Sequence, residues 1–451
     1  MSLDSELPQD RPGDCSASLQ SLSRRQQERI GRHPLIQHRR VGAFGPTTVY
    51  CACLCALAPL DSALAEIPQV GVSVVTTHDD NIFRIPKASQ NLLANGGSDV
   101  ASAIALSGKY AINIAPLTFA VNAAAQKTLF RYNSQLNAFE YNIAGDLVYA
   151  SSRGEGRLNV ARARRASSFE DIRVAARNIQ TASLAHFAAK GAVAGDLGVL
   201  LDSTVSVSRN SGLLASAADS RQVDFKGGIG YVSQAPSEAD PGAANIVAID
   251  LRYVSQHGLA DRSVLVNSDE IFYRADFVER SLGLRLEYAS APVWGLKGRV
   301  GYSEHVDRSG IARNARGLTG DGSIAWSPSP FLTLTIQAAR SFSGTQDIYS
   351  NGIKTFSWGL AASAQPAEGW TAALQFNRRN RTFQYDLQAA APLTQSRTED
   401  LSTASTSLAH TVAERVSVSL LLEHRWRASN LQSYRYRGTS ATLSLSIPIT
   451  R

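Results

Sequence analysis

From about residue 70 to the C-terminal end, apolar and polar side chains alternate in stretches of roughly ten residues, the period of an extended strand whose two faces meet different surroundings. In Leu282-Gly-Leu-Arg-Leu-Glu-Tyr288, the residues Leu282, Leu284, Leu286 and Tyr288 share one face while Arg285 and Glu287 take the other. Leu332, Leu334, Ile336 and Ala338 repeat the pattern, as do Val416, Val418, Leu420 and Leu422 against Ser417, Ser419, Glu423 and Arg425, and it recurs from Thr439 to Ile447. Such a ribbon is all-β. Alternation alone leaves a β-sandwich and a closed barrel both open.

The spacing of the turns separates the two. Short connectors recur near Pro116, Ser151, Ala192, Ser237, Ala291, Pro328, Ala367 and Val412. Neighbouring ones lie roughly 35 to 54 residues apart, room for two strands and one longer loop. Polar segments such as Asp307 to Arg316, Ser343 to Asn351, Gln384 to Glu399 and Arg427 to Ser433 fall between them. Tight turns alternating with long polar loops are the asymmetry of a bacterial outer-membrane barrel. One strand on each side of every short turn, plus a first strand near Val70 to Thr77 and a last near Tyr434 to Ile449, predicts an antiparallel up-and-down transmembrane β-barrel of about 18 strands, within 16 to 20. Its weakest stretch is Gly154 to Asn178, where Arg157, Arg162, Arg164, Arg165, Arg173 and Arg177 blur the alternation.

Aromatic residues agree with a membrane setting. Trp294, Trp326 and Trp370 stand beside short turns on the aliphatic face, where an indole buries its ring and keeps its N–H hydrated. At the opposite strand ends Tyr434 and Tyr436 alternate with Arg435 and Arg437, which predicts an outward aromatic girdle with the arginines turned inward. Arg285, Glu287, Lys297, Arg299, Glu423, Arg425, Arg435 and Arg437 are the candidate lumen charges, because an Arg or Lys facing lipid at the bilayer midplane costs about 2–4 kcal/mol. Two roles are open to them: attracting an anionic solute, or pairing across strands to stiffen the wall.

Everything before about residue 66 reads as an export leader. Val49 to Leu60 is a short apolar run preceded by His38-Arg39-Arg40 and followed by Ala63-Leu64-Ala65. These are a basic n-region, an h-region and an A-x-A cleavage signal, so cleavage is expected after Ala65, leaving 66–451 as the barrel. The run is too short for a membrane-spanning helix. All four cysteines, Cys15, Cys51, Cys53 and Cys55, fall in this leader, which leaves the barrel without thiol chemistry. The C-x-C-x-C at 51 to 55 has no histidine beside it and makes a poor zinc site.

The leader holds seven of the 45 Lys/Arg and six of the 38 Asp/Glu, so the exported part carries 38 basic against 32 acidic residues. Only seven of those 38 are lysine, and guanidinium suits two-point contact with carboxylate or phosphate. The charges are interleaved rather than clustered, which argues against nucleic acid. No nucleophile with its base, phosphate-binding loop or zinc signature stands out, so no catalytic residue, cofactor or metal is expected and the chain is not read as an enzyme. His78-Asp79-Asp80 admits a catalytic or cation-binding reading, but a turn whose side chains cap their own backbone is the commoner use of these residues.

His78-Asp-Asp-Asn-Ile-Phe-Arg84, just after the first strand, resembles the opening D-D-N-[IL]-F-R motif of the EpsL-type exopolysaccharide-operon outer-membrane proteins, a family of porin-like barrels. The motif residues are Asp79, Asp80, Asn81, Phe83 and Arg84, and further agreement comes from Arg177 to Thr181, Trp326 to Leu334 and Arg427 to Tyr436. The likeness runs over the whole exported part. It implies a barrel encoded beside polysaccharide synthesis and export genes, moving or anchoring polymer in the outer membrane. One departure is the ending Ile447-Pro-Ile-Thr-Arg451, where such barrels finish on an aromatic residue.

The expected function is therefore a porin-like conduit or docking wall for exopolysaccharide biosynthesis or export, without covalent chemistry. The alternatives are a general diffusion porin for small solutes and a non-conducting surface interaction barrel. The expected partners are outer-membrane lipid and lipopolysaccharide, an anionic exopolysaccharide and other export-machinery proteins.

Overall fold

The structure is a computed structural model, which describes residues 64–65 and 68–450 except 152–153, 168, 171–176, 213–214, 235–243, 261, 267–268, 291–292, 309–313, 344–351, 385–396 and 413–414. The four cysteines and the apolar run of the leader lie outside the described residues. Leu64 and Ala65, at the expected cleavage signal, pair with Asn113 and Ile112.

Among the described residues, eighteen antiparallel strands form one closed ring. They are β1 (Gln69–Asp79), β2 (Asp99–Ile114), β3 (Leu117–Phe130), β4 (Ala138–Ser151), β5 (Gly154–Ala166), β6 (Ile179–Ala194), β7 (Leu197–Asn210), β8 (Ser220–Gln234) and β9 (Ala244–Gly258) in the first half. The second half holds β10 (Phe277–Ser290), β11 (Trp294–Asp307), β12 (Ala315–Ser329), β13 (Leu332–Ser343), β14 (Gly352–Ala364), β15 (Trp370–Gln384), β16 (Thr398–Val412), β17 (Val416–Ser429) and β18 (Tyr436–Pro448). Each strand pairs with its sequence neighbours. The ring closes where β1 pairs with β18, from Gly71↔Pro448 to Asp79↔Ser440. A small separate hairpin, Arg262–Val266 with Asp269–Tyr273, sits in the β9–β10 loop.

Seven of the eight expected connectors are two to five residues long and fall where the sequence places them, the one near Ser237 lies at 235–243, outside the described residues, and an even strand number brings the start of β1 and the end of β18 to that same end. Two of these turns require a left-handed residue, and glycine supplies it without a Cβ clash: Gly195 at φ 57° and Gly369 at φ 73°.

Alternation decides which way each side chain points. Leu282, Leu284, Leu286 and Tyr288 are exposed on the outer face, as are Ile104, Leu106, Leu374, Leu408, Leu443 and Ile447. An exterior this apolar belongs in lipid, and closing the ring removes the unpaired strand edges that lipid does not tolerate. Trp294, Trp326 and Trp370 also face outward beside the turns. Trp294 and Trp326 are directly cross-strand and stacked at 5.5 Å, and Trp370 stacks on His410 at 4.2 Å.

The aromatic girdle expected at the other end is corrected by the register. Outward parity in β18 runs through Leu445 and Leu443 to Ala441, Thr439 and Arg437, which lies across from Trp426. Tyr436 therefore points inward, 3% exposed, and Tyr434 is buried in the turn before it at 7%. Arg437 faces out and Arg435 is exposed. The physical reason is that tyrosine and arginine exchange preferences at the membrane surface. A guanidinium is well placed beside polar headgroups, and an aromatic ring turned inward stacks on the inner arginines.

Candidate functional site

The inner wall carries ion pairs along much of its length. On β10 and β11, Arg285 and Arg299 are directly cross-strand and both point inward, an arrangement that is unfavourable unless each charge is neutralised. Arg285 pairs with Glu287 in its own strand, and Lys297 stands directly across from Glu287. Arg299 reaches over β10 to Asp250 of β9, its Nε donating to Oδ1 at 2.8 Å and Oδ2 at 2.9 Å, while Nη2 donates to Ser281 Oγ at 2.8 Å. The pair passes over Gly283, where a Cβ would lie 3.0 Å from both Arg299 Nη2 and Asp250 Oδ1. Arg252 similarly bonds Asp224, and Arg425 bonds Glu423. Six of the eight expected lumen charges, Arg285, Glu287, Lys297, Arg299, Glu423 and Arg425, thus point inward; Arg435 and Arg437 do not.

The D-D-N-I-F-R segment forms a clasp at the loop-side end of the closing seam. Asp79 accepts from the Asn81 backbone N–H at 2.9 Å and takes a two-point contact from Arg84, at 2.9 and 2.6 Å. Asn81, fully buried, donates from Nδ2 to the carbonyls of Ile85 (2.9 Å) and Arg437 (2.8 Å) and accepts from the Ile85 N–H. Asp80 accepts from the Thr439 N–H at 2.7 Å. Arg84 turns back at φ 54° to reach these partners, and Gly438 leaves it room, since a Cβ there would lie 2.9 Å from Nη1. These residues, read from sequence as a family motif or a cation site, are used up by one another.

The clasp also sends Phe83 inward, where it is 4% exposed and meets Phe169 edge-on at 5.1 Å. Phe169 and Glu170 come from the connection between β5 and β6. Glu170 Oε1 lies 3.5 Å from Arg381 Nη2 on β15 and 3.6 Å from Arg427 Nη2 on β17. In an 18-strand ring β15 is nine strands from β6, so this carboxylate reaches the far wall of the mouth. Around it, Arg427 also approaches Glu399 at 3.7 Å and lies over the Tyr436 ring at 5.2 Å. Arg397 is held between the rings of Phe383 (3.5 Å) and Tyr434 (4.2 Å), a cation–π contact that strengthens where water is excluded.

Sequence reasoning missed Glu170, Arg381, Arg397 and Glu399; Glu170 meets Arg381 and Arg427 only through closure of the ring, and the other pairs form around it within or between neighbouring strands. Arg427 stood in a segment that resembled the family, which was its one signal. Among the described residues no group of three or more His, Cys, Asp or Glu is placed to hold a metal ion.

Lower on the inner wall of β11–β17 lies a hollow of about 600 Å³. Ser323, Gln337, Ser357, Gln375, Asn377 and Thr403 supply hydroxyl and amide groups there, interspersed with Lys297, Asp321, Arg379 and Glu423.

The family Putative beta-barrel porin 2 matches residues 293–448, the stretch from the turn before β11 through β18. No curated protein matches the chain. Among solved structures, OccK2 (OpdF) of Pseudomonas aeruginosa is similar at 12% identity and TM-score 0.44, covering 85% of this chain and 98% of that one. OccAB3 of Acinetobacter baumannii gives 11%, 0.43, 85% and 99%. The siderophore receptor PirA of Pseudomonas aeruginosa gives 12%, 0.39, 84% and 80%.

Proposed function

We propose that this porin-like β-barrel of the bacterial outer membrane serves exopolysaccharide biosynthesis or export, as a conduit or docking wall that performs no covalent chemistry. The observation that carries the reading is the hydroxyl- and amide-lined hollow on β11–β17, where Ser323, Gln337, Ser357, Gln375, Asn377 and Thr403 face the lumen. Such groups exchange hydrogen bonds with sugar hydroxyls much as water does, at little net gain or cost. Weak contacts repeated along a wall let a polymer enter and leave, whereas tight sites would hold it. The inward arginines that are neutralised by Asp250, Glu287 and Glu423 stiffen the wall and leave little unbalanced charge to trap an anionic polymer. The D-D-N-I-F-R clasp supports the link to polysaccharide operons through the resemblance it carries. On this reading the partners are the polymer itself and other proteins of the export machinery.

The same neutralised wall favours a second reading, a general diffusion porin for small solutes. Single-channel conductance in planar bilayers separates the two. On the export reading, current through the reconstituted barrel is blocked by the polysaccharide of the same cell and unaffected by dextran of similar size. Equal block by both leaves the diffusion porin, and absence of conductance sinks the conduit and the diffusion porin alike, in favour of a closed barrel.

A further inference from the structure

A belt of positive charge that is almost free of salt bridges lies on the outer face of the described strands. Across the whole lipid-facing surface of the described strands, every Lys, Arg, Asp and Glu sits eight or more residues from the turn end of its strand. At about 3.4 Å per residue and a tilt of about 40°, eight residues rise roughly 21 Å and ten roughly 26 Å, the height of the apolar band. These charges therefore mark the loop-side membrane surface. No charged residue faces out at the turn-side Trp girdle.

The register arranges them in rows. Across β4 to β7 the outward residues are Tyr141, Arg164, Thr181 and Arg209; across β9 to β12 they are Tyr253, Arg280, Glu304 and Arg316. Across β14 to β18 they are Trp358, Arg378, Ser402, Trp426 and Arg437. Arg221 and Arg340 fill the intervals on β8 and β13. All these arginines are exposed, and among the described residues only Arg378 forms a salt bridge, to Asp400. Glu304 and Asp400 are the acids of this rim, so its sign is strongly positive. A protein partner would mark one side of a barrel; these arginines, with exposed Lys127 on β3, are spread around the ring, as the lipid is.

We infer that this rim is a binding surface for the phosphate groups of anionic lipid in the loop-side leaflet, with paired aromatic and guanidinium side chains holding acyl chain and headgroup. Guanidinium meets phosphate through two parallel hydrogen bonds, and each such charge near an anionic surface contributes enough to raise local lipid occupancy about fivefold. The inference rests on the barrel lying in a membrane and is independent of what passes through it.

The five tryptophans supply the test, because Trp358 and Trp426 lie in the arginine rows while Trp294, Trp326 and Trp370 lie at the turns. The full barrel is inserted into phosphatidylcholine vesicles doped with phosphatidic acid, and tryptophan quenching by brominated forms of each lipid is compared. With W294F/W326F/W370F, the loop-side tryptophans are expected to show about fivefold preference for the anionic lipid. With W358F/W426F, the turn-side tryptophans are expected to show a ratio near one. Adding R280Q/R316Q/R378Q/R437Q to the first set should bring its ratio to near one, and the corresponding Arg→Lys set should keep most of the preference, which excludes misfolding as the cause. Equal quenching by both lipids in the parent, or a preference that survives the Gln set, overturns the inference. So does loss of the preference in inorganic phosphate but not in chloride of equal ionic strength, which would assign the rim to a free anion.

Discussion

Replacing Glu170 by Gln tests whether the mouth cluster borders the path of a permeating ion. The carboxylate lies 3.5 Å from Arg381 and 3.6 Å from Arg427, and the substitution keeps its shape while removing its charge. An ion passing about 5 Å from the unmasked charge would feel about 0.8 kcal/mol in bulk water, from 332/(80 × 5). A Debye length of about 10 Å at 0.1 M salt reduces that to about 0.5 kcal/mol. At tenfold per 1.4 kcal/mol, anions are enriched about 2.3-fold and cations depleted by the same factor, so the anion-to-cation ratio rises about fivefold. The assay is the reversal potential of the reconstituted barrel across a potassium chloride gradient. E170Q should shift it toward the chloride potential, and the shift should shrink in strong salt. A reversal potential unchanged at low salt would show that Glu170 does not face the conducting path, and the mouth assignment would fall.

Three further outcomes follow from the same geometry. R299M leaves Asp250 buried without its partner and should destabilise the barrel by about 3–5 kcal/mol, while R299M/D250L should recover most of the loss; urea midpoints in detergent micelles measure both. N81A removes three side-chain hydrogen bonds from a buried position and should cost about 1–3 kcal/mol, visible as earlier thermal loss of the compact gel mobility. Because no cysteine lies beyond Cys55, single cysteines report facing directly. In membranes S444C, which shares the inward parity of Tyr436 and is part-exposed, should react with a water-soluble maleimide and L443C should resist it, and the reverse result would restore the outward tyrosine girdle.

Where alternation meets lipid on one side and water on the other, the sequence was sufficient to assign faces. Leu282 to Tyr288 and Val416 to Arg425 fall on the sides their parity predicts, and seven short turns bounded the strands. The rule failed where the outside is no longer hydrocarbon. Arg162 and Arg164, which blurred β5, and Arg437, which was expected inward, all face out at the loop-side surface. There the cost of an outward arginine falls to about 0–1 kcal/mol, so hydrophobicity no longer distinguishes the faces. The mouth cluster escaped for a different reason. Glu170 and Arg381 are distant in sequence, and no local pattern marks two charges that meet across a ring.

Closure itself explains why the most distinctive motif sits where it does. Each strand pair except one is a local hairpin; the β1–β18 seam joins residues such as Asp80 and Thr439, separated by 359 positions. Loop-closure entropy grows as (3/2)RT ln n, so this seam costs roughly 2–3 kcal/mol more than a hairpin of about 20 residues. β1 is also short, with nine pairs to β18 from Gly71↔Pro448 to Asp79↔Ser440. Bonds outside the ladder hold both of its ends. At the turn end, Val70 N–H donates to Thr450 Oγ1 at 2.7 Å and Val70 O accepts from Ile449 N–H at 2.6 Å. At the loop end, Asp80 exchanges bonds with Thr439 and Asn81 donates to Arg437 O. At about 1 kcal/mol net for each such bond, the two clamps offset the additional entropy. Asp79, Asp80, Asn81 and Arg84 are thus placed by the need to close a ring, while Phe83, carried inward by the same turn, ties that closure to the contents of the mouth.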